Sequence, residues 1–347
     1  MRRRLSLLPL TAGILLLGAG PALACAGLIG SNGSVNLIRT TTLAAYHDGV
    51  EHYLTAFRFF GGGGAFGSII PLPAAPTKVE RGGDWTLQRL VRETQPQPKF
   101  AVPALQAADG RESAPAKVLL ETRIDALDIT VLEGGAFGVG EWARQNGFDL
   151  PPDAPEVLDF YASRSPYFMA ARFDAEAARA RGQEIGDGTP IHLTIPTENP
   201  WVPLRILGLG KAPEERIAAD VYLLTDRRPA LLPESPGLIL EQSTQASDSL
   251  MADLASDKGM EWMPESMWLS YLRIDASAGE LGYDLAVDAS GAGKPSRTAA
   301  GLPEPAQFRT VEEVARTWWP VLGLAAVMAV FASGAWALGR LSSHLAG

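Results

Sequence analysis

The chain has 347 residues, with 30 Lys+Arg against 39 Asp+Glu, 46% apolar and 20% charged residues. It is too apolar and too weakly charged to stay disordered, and long enough for one large domain or two ordinary ones. The single cysteine excludes a disulfide framework and any multi-cysteine metal or iron–sulfur site, and the acidic balance speaks against nucleic acid as a partner.

Residues 1–24 read as a secretory signal. Arg2, Arg3 and Arg4 form a positive start, Leu5 to Leu17 is apolar, and small residues at Ala22 and Ala24 make an A-x-A cleavage pattern. Cys25 is then the first mature residue. Its thiol is a candidate for lipidation or for an intermolecular disulfide, and an uncleaved anchor is the alternative. Cleavage removes three arginines and no acid, which takes the net charge from −9 to −12.

Residues 25–288 are expected to form an extracytoplasmic α+β domain, in one piece or two subdomains, with a mostly antiparallel β-sheet and short helices. Val35 to Leu43 and Val50 to Phe60 are predicted strands, joined by a hairpin loop at Asp48-Gly49. Ser68 to Pro73 follows as a short strand. Asp84 is placed to cap a short helix through Arg92, with Leu87, Leu90 and Val91 as its apolar stripe. Lys117 to Leu132 reads as one or two strands. Val139 to Asn146 and Pro155 to Tyr161 read as helices, with Asn146-Gly147 as a stop signal. Strands are predicted over Tyr167–Phe173, Ile191–Ile195, Val202–Leu207, Asp220–Leu224, Trp268–Ile274 and Leu281–Val287, and a helix over Thr244–Lys258.

Residues 289–309, rich in Ala, Ser, Gly and Pro, read as a flexible stalk. A juxtamembrane and transmembrane helix is expected over 310–340. Thr310 and Glu313 fit a capping box, and Pro320 is placed to kink the first turns. Trp318 to Gly339 is a charge-free run of 22 residues, a length of roughly 33 Å as a helix against a hydrocarbon core of about 30 Å. Trp318, Trp319 and Trp336 suit its two interfaces. Ala325, Ala329, Ser333 and Ala337 recur every four residues, a face on which a partner helix can approach closely; ordinary alanine-rich composition is the alternative. The expected arrangement is a single pass through the cell membrane, with the large N-terminal part periplasmic or extracellular and a short cytoplasmic tail, 341–347.

Several segments, in order, resemble one bacterial envelope family. They are Cys25-Ala26-Gly27, Ser68–Ala74 (SIIPLPA), Glu141–Pro151 (EWARQNGFDLP), Tyr167–Phe173, Pro190–Pro196, Pro203–Ile206, Val221–Asp226 and Trp268–Ile274. The family they resemble is the exported, membrane-anchored one catalogued as domain of unknown function 2330. The resemblance covers roughly 25–288 and implies export, anchoring and fold; it carries over no catalytic residues. Where that family has Gly-Gly and further cysteines after the first Cys, this chain has Ala26-Gly27 and no other cysteine, so no thiol role is carried over.

His47 and His52 flank the hairpin loop. Pairing of Ala45 with His52 and of His47 with Val50 puts both imidazoles on one face as diagonal neighbours, about 7–8 Å apart. They are metal-ligand candidates, although Asp48 or Glu51 would reach as a third ligand only with a distorted loop; two solvated histidines are the alternative. His192, between Ile191 and Leu193, is predicted on the wetter side of its strand. No His-x-x-x-His pair, nucleophile elbow or phosphate loop is present; Gly61 to Gly64 lacks the Gly-Lys-Ser/Thr that a phosphate loop needs. No catalytic residue and no cofactor is therefore expected. Met260, Trp262, Met263, Met267 and Trp268 cluster around Pro264, either as a protein- or membrane-facing patch or as core. These features favour a non-enzymatic binding or scaffold domain, or an accessory subunit of an envelope membrane complex, with the lipid bilayer and an envelope or membrane protein as partners. An envelope hydrolase acting on a cell-wall or lipid substrate, and a metal- or small-ligand-binding receptor, are the alternatives.

Overall fold

A computed structural model describes residues 27–30, 36–60, 63–64, 66–94, 107–108, 117–180, 189–303 and 328. Strand β1 (Gly27–Gly30) is followed by the expected hairpin, β2 (Asn36–His47) and β3 (Val50–Phe60). Its two loop residues, Asp48 and Gly49, both have positive φ, the conformation that a two-residue loop demands and that Gly adopts without strain. Then come β4 (Gly63–Gly64), β5 (Phe66–Leu72), β6 (Lys78–Arg81), α1 (Thr86–Thr94), β7 (Ala107–Ala108), β8 (Lys117–Ile124) and β9 (Leu127–Glu133). Helices α2 (Gly135–Gln145) and α3 (Ala154–Ala162) lead to β10 (Tyr167–Phe173), α4 (Ala175–Ala180), β11 (Ile191–Pro196) and β12 (Trp201–Val202). The later elements are β13 (Arg216–Thr225), β14 (Ala230–Leu232), β15 (Leu238–Gln245), α5 (Asp248–Ser256), β16 (Trp268–Ser277) and β17 (Leu285–Asp288).

The class is α+β with mostly antiparallel sheets, as expected. A seven-stranded sheet runs β15-β16-β13-β2-β3-β11-β6, and its one parallel pairing joins β2 to β13. A five-stranded sheet runs β1-β5-β10-β9-β8. Side-chain alternation gives the larger sheet two apolar faces. One face sends Tyr53, Leu193, Val221 and Ile274 into a core shared with Ile69, Val131 and Met169 of the smaller sheet and with Val139, Trp142 and Leu158 of α2 and α3. The other sends Leu43, Leu54, Tyr222 and Leu224 against Leu87 and Leu90 of α1, Leu250 and Leu254 of α5, and Met260, Met263 and Met267 of the loop after α5. The three methionines are therefore core, the second of the two alternatives for that cluster. Each such side chain, fully buried, contributes roughly 1.5–3 kcal/mol.

Three local expectations are corrected. The strand expected over 202–207 stops at Val202. Pro203 lacks an N–H, and the next two, of Leu204 and Arg205, are taken by the Asp284 carboxylate at 2.7 and 3.0 Å, so the chain turns into a short 3-10 helix, Arg205–Gly208. The helix expected from Thr244 begins at Asp248, because Thr244 and Gln245 pair with Leu269 and Trp268; Ser247 caps it by accepting from the Leu250 N–H. The stretch 289–303, expected as stalk, is held to the body instead. Asp288 accepts from the N–H groups of Ser290 and Lys294, the Ala300 carbonyl accepts from the Asp284 N–H, and Ala299 and Ala300 are buried. The compact unit accordingly ends at Leu302.

No helix among the described residues is long and apolar enough to cross a membrane. The signal segment, Cys25, the capping box and the helix-face residues Ala325, Ala329, Ser333 and Ala337 lie outside the described residues.

Candidate functional site

Strand β11 lies between β3 and β6, and that register builds the site. His192 stands directly opposite Glu80 on β6 and Leu54 on β3; Thr194 stands opposite Lys78 and His52. Directly opposed residues share a face, so Glu80, His192 and His52 all lie on the side of the sheet that carries the methionine-lined core. His192 Nε2 is 3.0 Å from His52 Nδ1. On its other side, His192 Nδ1 is 3.5 Å from Glu80 Oε1, and Glu80 Oε2 is 2.7 Å from Lys78 Nζ. The Trp262 indole covers the pair, with its centroid 3.5 Å from that of His52 and the two rings 4° from parallel.

His192 is only 1% exposed, which corrects the expectation of a solvent-facing position. Alternation along β11 was no guide because both faces of this sheet are covered. Burial pushes His192 down to about 4, helped by the Lys78 ammonium. It pushes His52 down to about 3, helped by His192 and His47 and opposed by Glu80. Both rings are thus neutral at pH 7, the form that accepts a proton or a metal. In the 3.0 Å contact one nitrogen donates and the other accepts. Glu80 beside His192 Nδ1 favours the proton there, which leaves His192 Nε2 to accept from His52 Nδ1–H.

His47 pairs with Val50 and His52 with Ala45, the register predicted for the hairpin. The two histidines nevertheless find separate partners. His47 Nδ1 is 2.7 Å from Asp226 Oδ1 and its Nε2 is 3.3 Å from Asp48 Oδ2, an exposed group at the hairpin end. These three are the His/Asp/Glu group among the described residues with metal-ligand spacing, and His52 is not part of it.

Glu51, Asp257 and Asp284 are also buried; the sequence raised Glu51 only as a distant third ligand at the hairpin and gave no sign of Asp257 or Asp284. Asp284 accepts from Tyr161 Oη at 2.8 Å and from Arg164 Nη2 at 2.6 Å, in addition to the two amides that turn the chain after β12. Arg164 in turn lies over the Phe160, Tyr161 and Trp201 rings. Asp257 accepts from the N–H groups of Asp84, Trp85 and Thr86, so the start of α1 is capped from 171 residues away rather than by Asp84. Both carboxylates are fully used in holding segments together. Glu51 differs: neither of its oxygens has a hydrogen-bond partner of normal geometry among the described residues, and burial pushes its carboxyl up to about 8, against a smaller pull downward from the nearby Trp201 backbone.

Of the site residues, the histidines and Trp262 drew attention in the sequence, though separately; Glu80 had no local signal. Cross-strand register joins Glu80, His192 and His52, and the loop after α5 lays Trp262 over them.

A search of curated proteins finds no match. Among solved structures, the crystal structure of baculovirus P35 is similar at 8% identity and TM-score 0.39, over 74% of this chain and 97% of that one. The family model described as "Uncharacterized protein conserved in bacteria (DUF2330)" matches residues 20–250, and the chain belongs to that family.

Proposed function

We propose that this is an exported, membrane-anchored domain with a non-enzymatic role, binding or scaffolding another envelope protein as an accessory subunit of a membrane complex. The observation that carries the reading is the charge-free run Trp318–Gly339, long enough for a bilayer, after a body that follows a signal-like segment. Two structural features favour binding over hydrolysis. Neither His52 nor His192 hydrogen-bonds a hydroxyl among the described residues, and Asp257 and Asp284 are consumed by structural hydrogen bonds. Phe137, 78% exposed, and Ile239 and Leu240 on the edge strand β15 supply apolar surface for a protein partner.

The test is extraction of native membranes with alkaline carbonate, followed by co-purification of the full chain in mild detergent. Retention in the membrane pellet together with a stoichiometric envelope protein is expected. Release of intact chain into the supernatant overturns the tether, and recovery of the chain alone after crosslinking overturns the scaffold role.

A further inference from the structure

We propose that His52 and His192 form a two-imidazole site for a first-row divalent cation, zinc(II) or more tightly copper(II), with Glu80 orienting one ligand from behind. The nitrogens that would bind, His52 Nδ1 and His192 Nε2, already face each other at 3.0 Å. Two imidazoles on one tetrahedral zinc at 2.0–2.1 Å place their nitrogens about 3.3 Å apart, so the rings must part by a few tenths of an ångström and swing until both lone pairs meet at the cation instead of at each other. His192 presents its other nitrogen, Nδ1, to the Glu80 carboxylate at 3.5 Å. That is the carboxylate–histidine–metal arrangement, in which the outer acid holds the proton on the far nitrogen and leaves the near one as a lone pair. His192 Nδ1 is buried and makes no hydrogen bond of normal geometry among the described residues, so this nitrogen has room to tighten onto Glu80 when a cation pulls on the other side of the ring.

Binding replaces the proton shared by the two rings. The hydrogen on His52 Nδ1 leaves, Nε2 of the same ring takes one from solvent, and two neutral ligands face the cation with no net proton released. The Lys78 ammonium opposes a cation, but it is 2.7 Å from Glu80 Oε2, which screens it. Trp262, parallel to His52, fixes the plane of that ring and hence the direction of its lone pair. Imidazole-only donation suits zinc(II) and copper(II) over magnesium or calcium, which take oxygen ligands. The remaining coordination positions belong to solvent or to an added donor.

The experiment uses the full chain, stripped of metal and titrated with zinc(II), then copper(II), by calorimetry and by long-range proton–nitrogen NMR of the imidazoles. The chain has four histidines, so the spectrum is assignable without mutation. The expected result is one cation per chain, with shifts confined to the His52 and His192 rings: at the ligating His52 Nδ1 and His192 Nε2, and at His52 Nε2, which gains the proton. Glu80→Gln is expected to weaken binding by about 10- to 100-fold, and His52→Gln to abolish it, while His47→Ala leaves it unchanged. No uptake of either cation by the unmutated chain overturns the site. So do shifts centred on His47, or a Glu80→Gln affinity equal to that of the parent. The NMR readout on the unmutated chain decides the question even if a variant at His192 fails to fold.

Discussion

The Trp262 indole lies flat on the His52 imidazole, with 3.5 Å between centroids and the rings 4° from parallel. Removing the indole in Trp262→Ala takes away stacking and lets water reach His52. The variant is expected to lose ~1–3 kcal/mol of stability in urea unfolding, less than a fully buried tryptophan because this one is half-buried. The His52 titration, followed by NMR, should move up from about 3 toward its ordinary value of 6.5.

Stability should peak near pH 6.5 in the metal-free protein. His52 and His192 have folded values of about 3 and about 4 against an ordinary 6.5, so their contribution is whole above 6.5 and is lost as pH falls through 4 and 3. Glu51 has the opposite sign. Its folded value of about 8 lies above an ordinary 4.5, so its contribution is whole below 4.5 and is lost as pH rises through 8. Of these three groups, the two histidines outweigh Glu51 between 4.5 and 6.5 and stability climbs; above 6.5 the histidine contribution is constant and Glu51 makes stability fall. Denaturation midpoints from pH 3 to 9 check the shape; a flat profile contradicts it.

Glu51→Gln isolates the alkaline limb. Glutamine has nearly the shape of the protonated acid and no proton to lose. The variant is expected to match the parent near pH 4 and to exceed it by a few kcal/mol at pH 8.5, with the slope above 6.5 abolished. The difference between the two denaturation curves at those two pH values measures the effect.

Asp284→Ala leaves the Arg164 guanidinium, 7% exposed, without its carboxylate and strands the Leu204 and Arg205 amides. A buried charge deprived of its partner costs ~3–5 kcal/mol. A loss of that size in chemical denaturation is the expected outcome. Because the pair is stapling rather than functional, metal uptake by the folded fraction should be unchanged.

Asp257→Ala removes the acceptor for three amides at the start of α1, at 3.1, 2.9 and 2.8 Å. A loss of ~1–2 kcal/mol is expected. Hydrogen exchange at Trp85 and Thr86 should accelerate more than exchange in α5, which keeps its own Ser247 cap.

Much of the local architecture was legible from residues close together in the chain. Asp48-Gly49 set the hairpin loop and its register, Asn146-Gly147 ended α2, and Tyr167–Phe173 was bounded correctly, because turn chemistry and alternation act over a few residues. Ordered family segments were enough to identify the family. What the tertiary structure alone decided is which of these pieces meet. His52 and His192 are 140 residues apart, and a one-residue slip of β11 against β3 or β6 would send His192 to the opposite face, away from Glu80 and His52. Burial of His192 depends on a cover of α1, α5 and the methionine loop that strand periodicity does not report. The α1 cap and the turn after β12 likewise come from Asp257 and Asp284, acids brought in from distant segments, since a buried N–H takes its acceptor from whatever the fold places beside it.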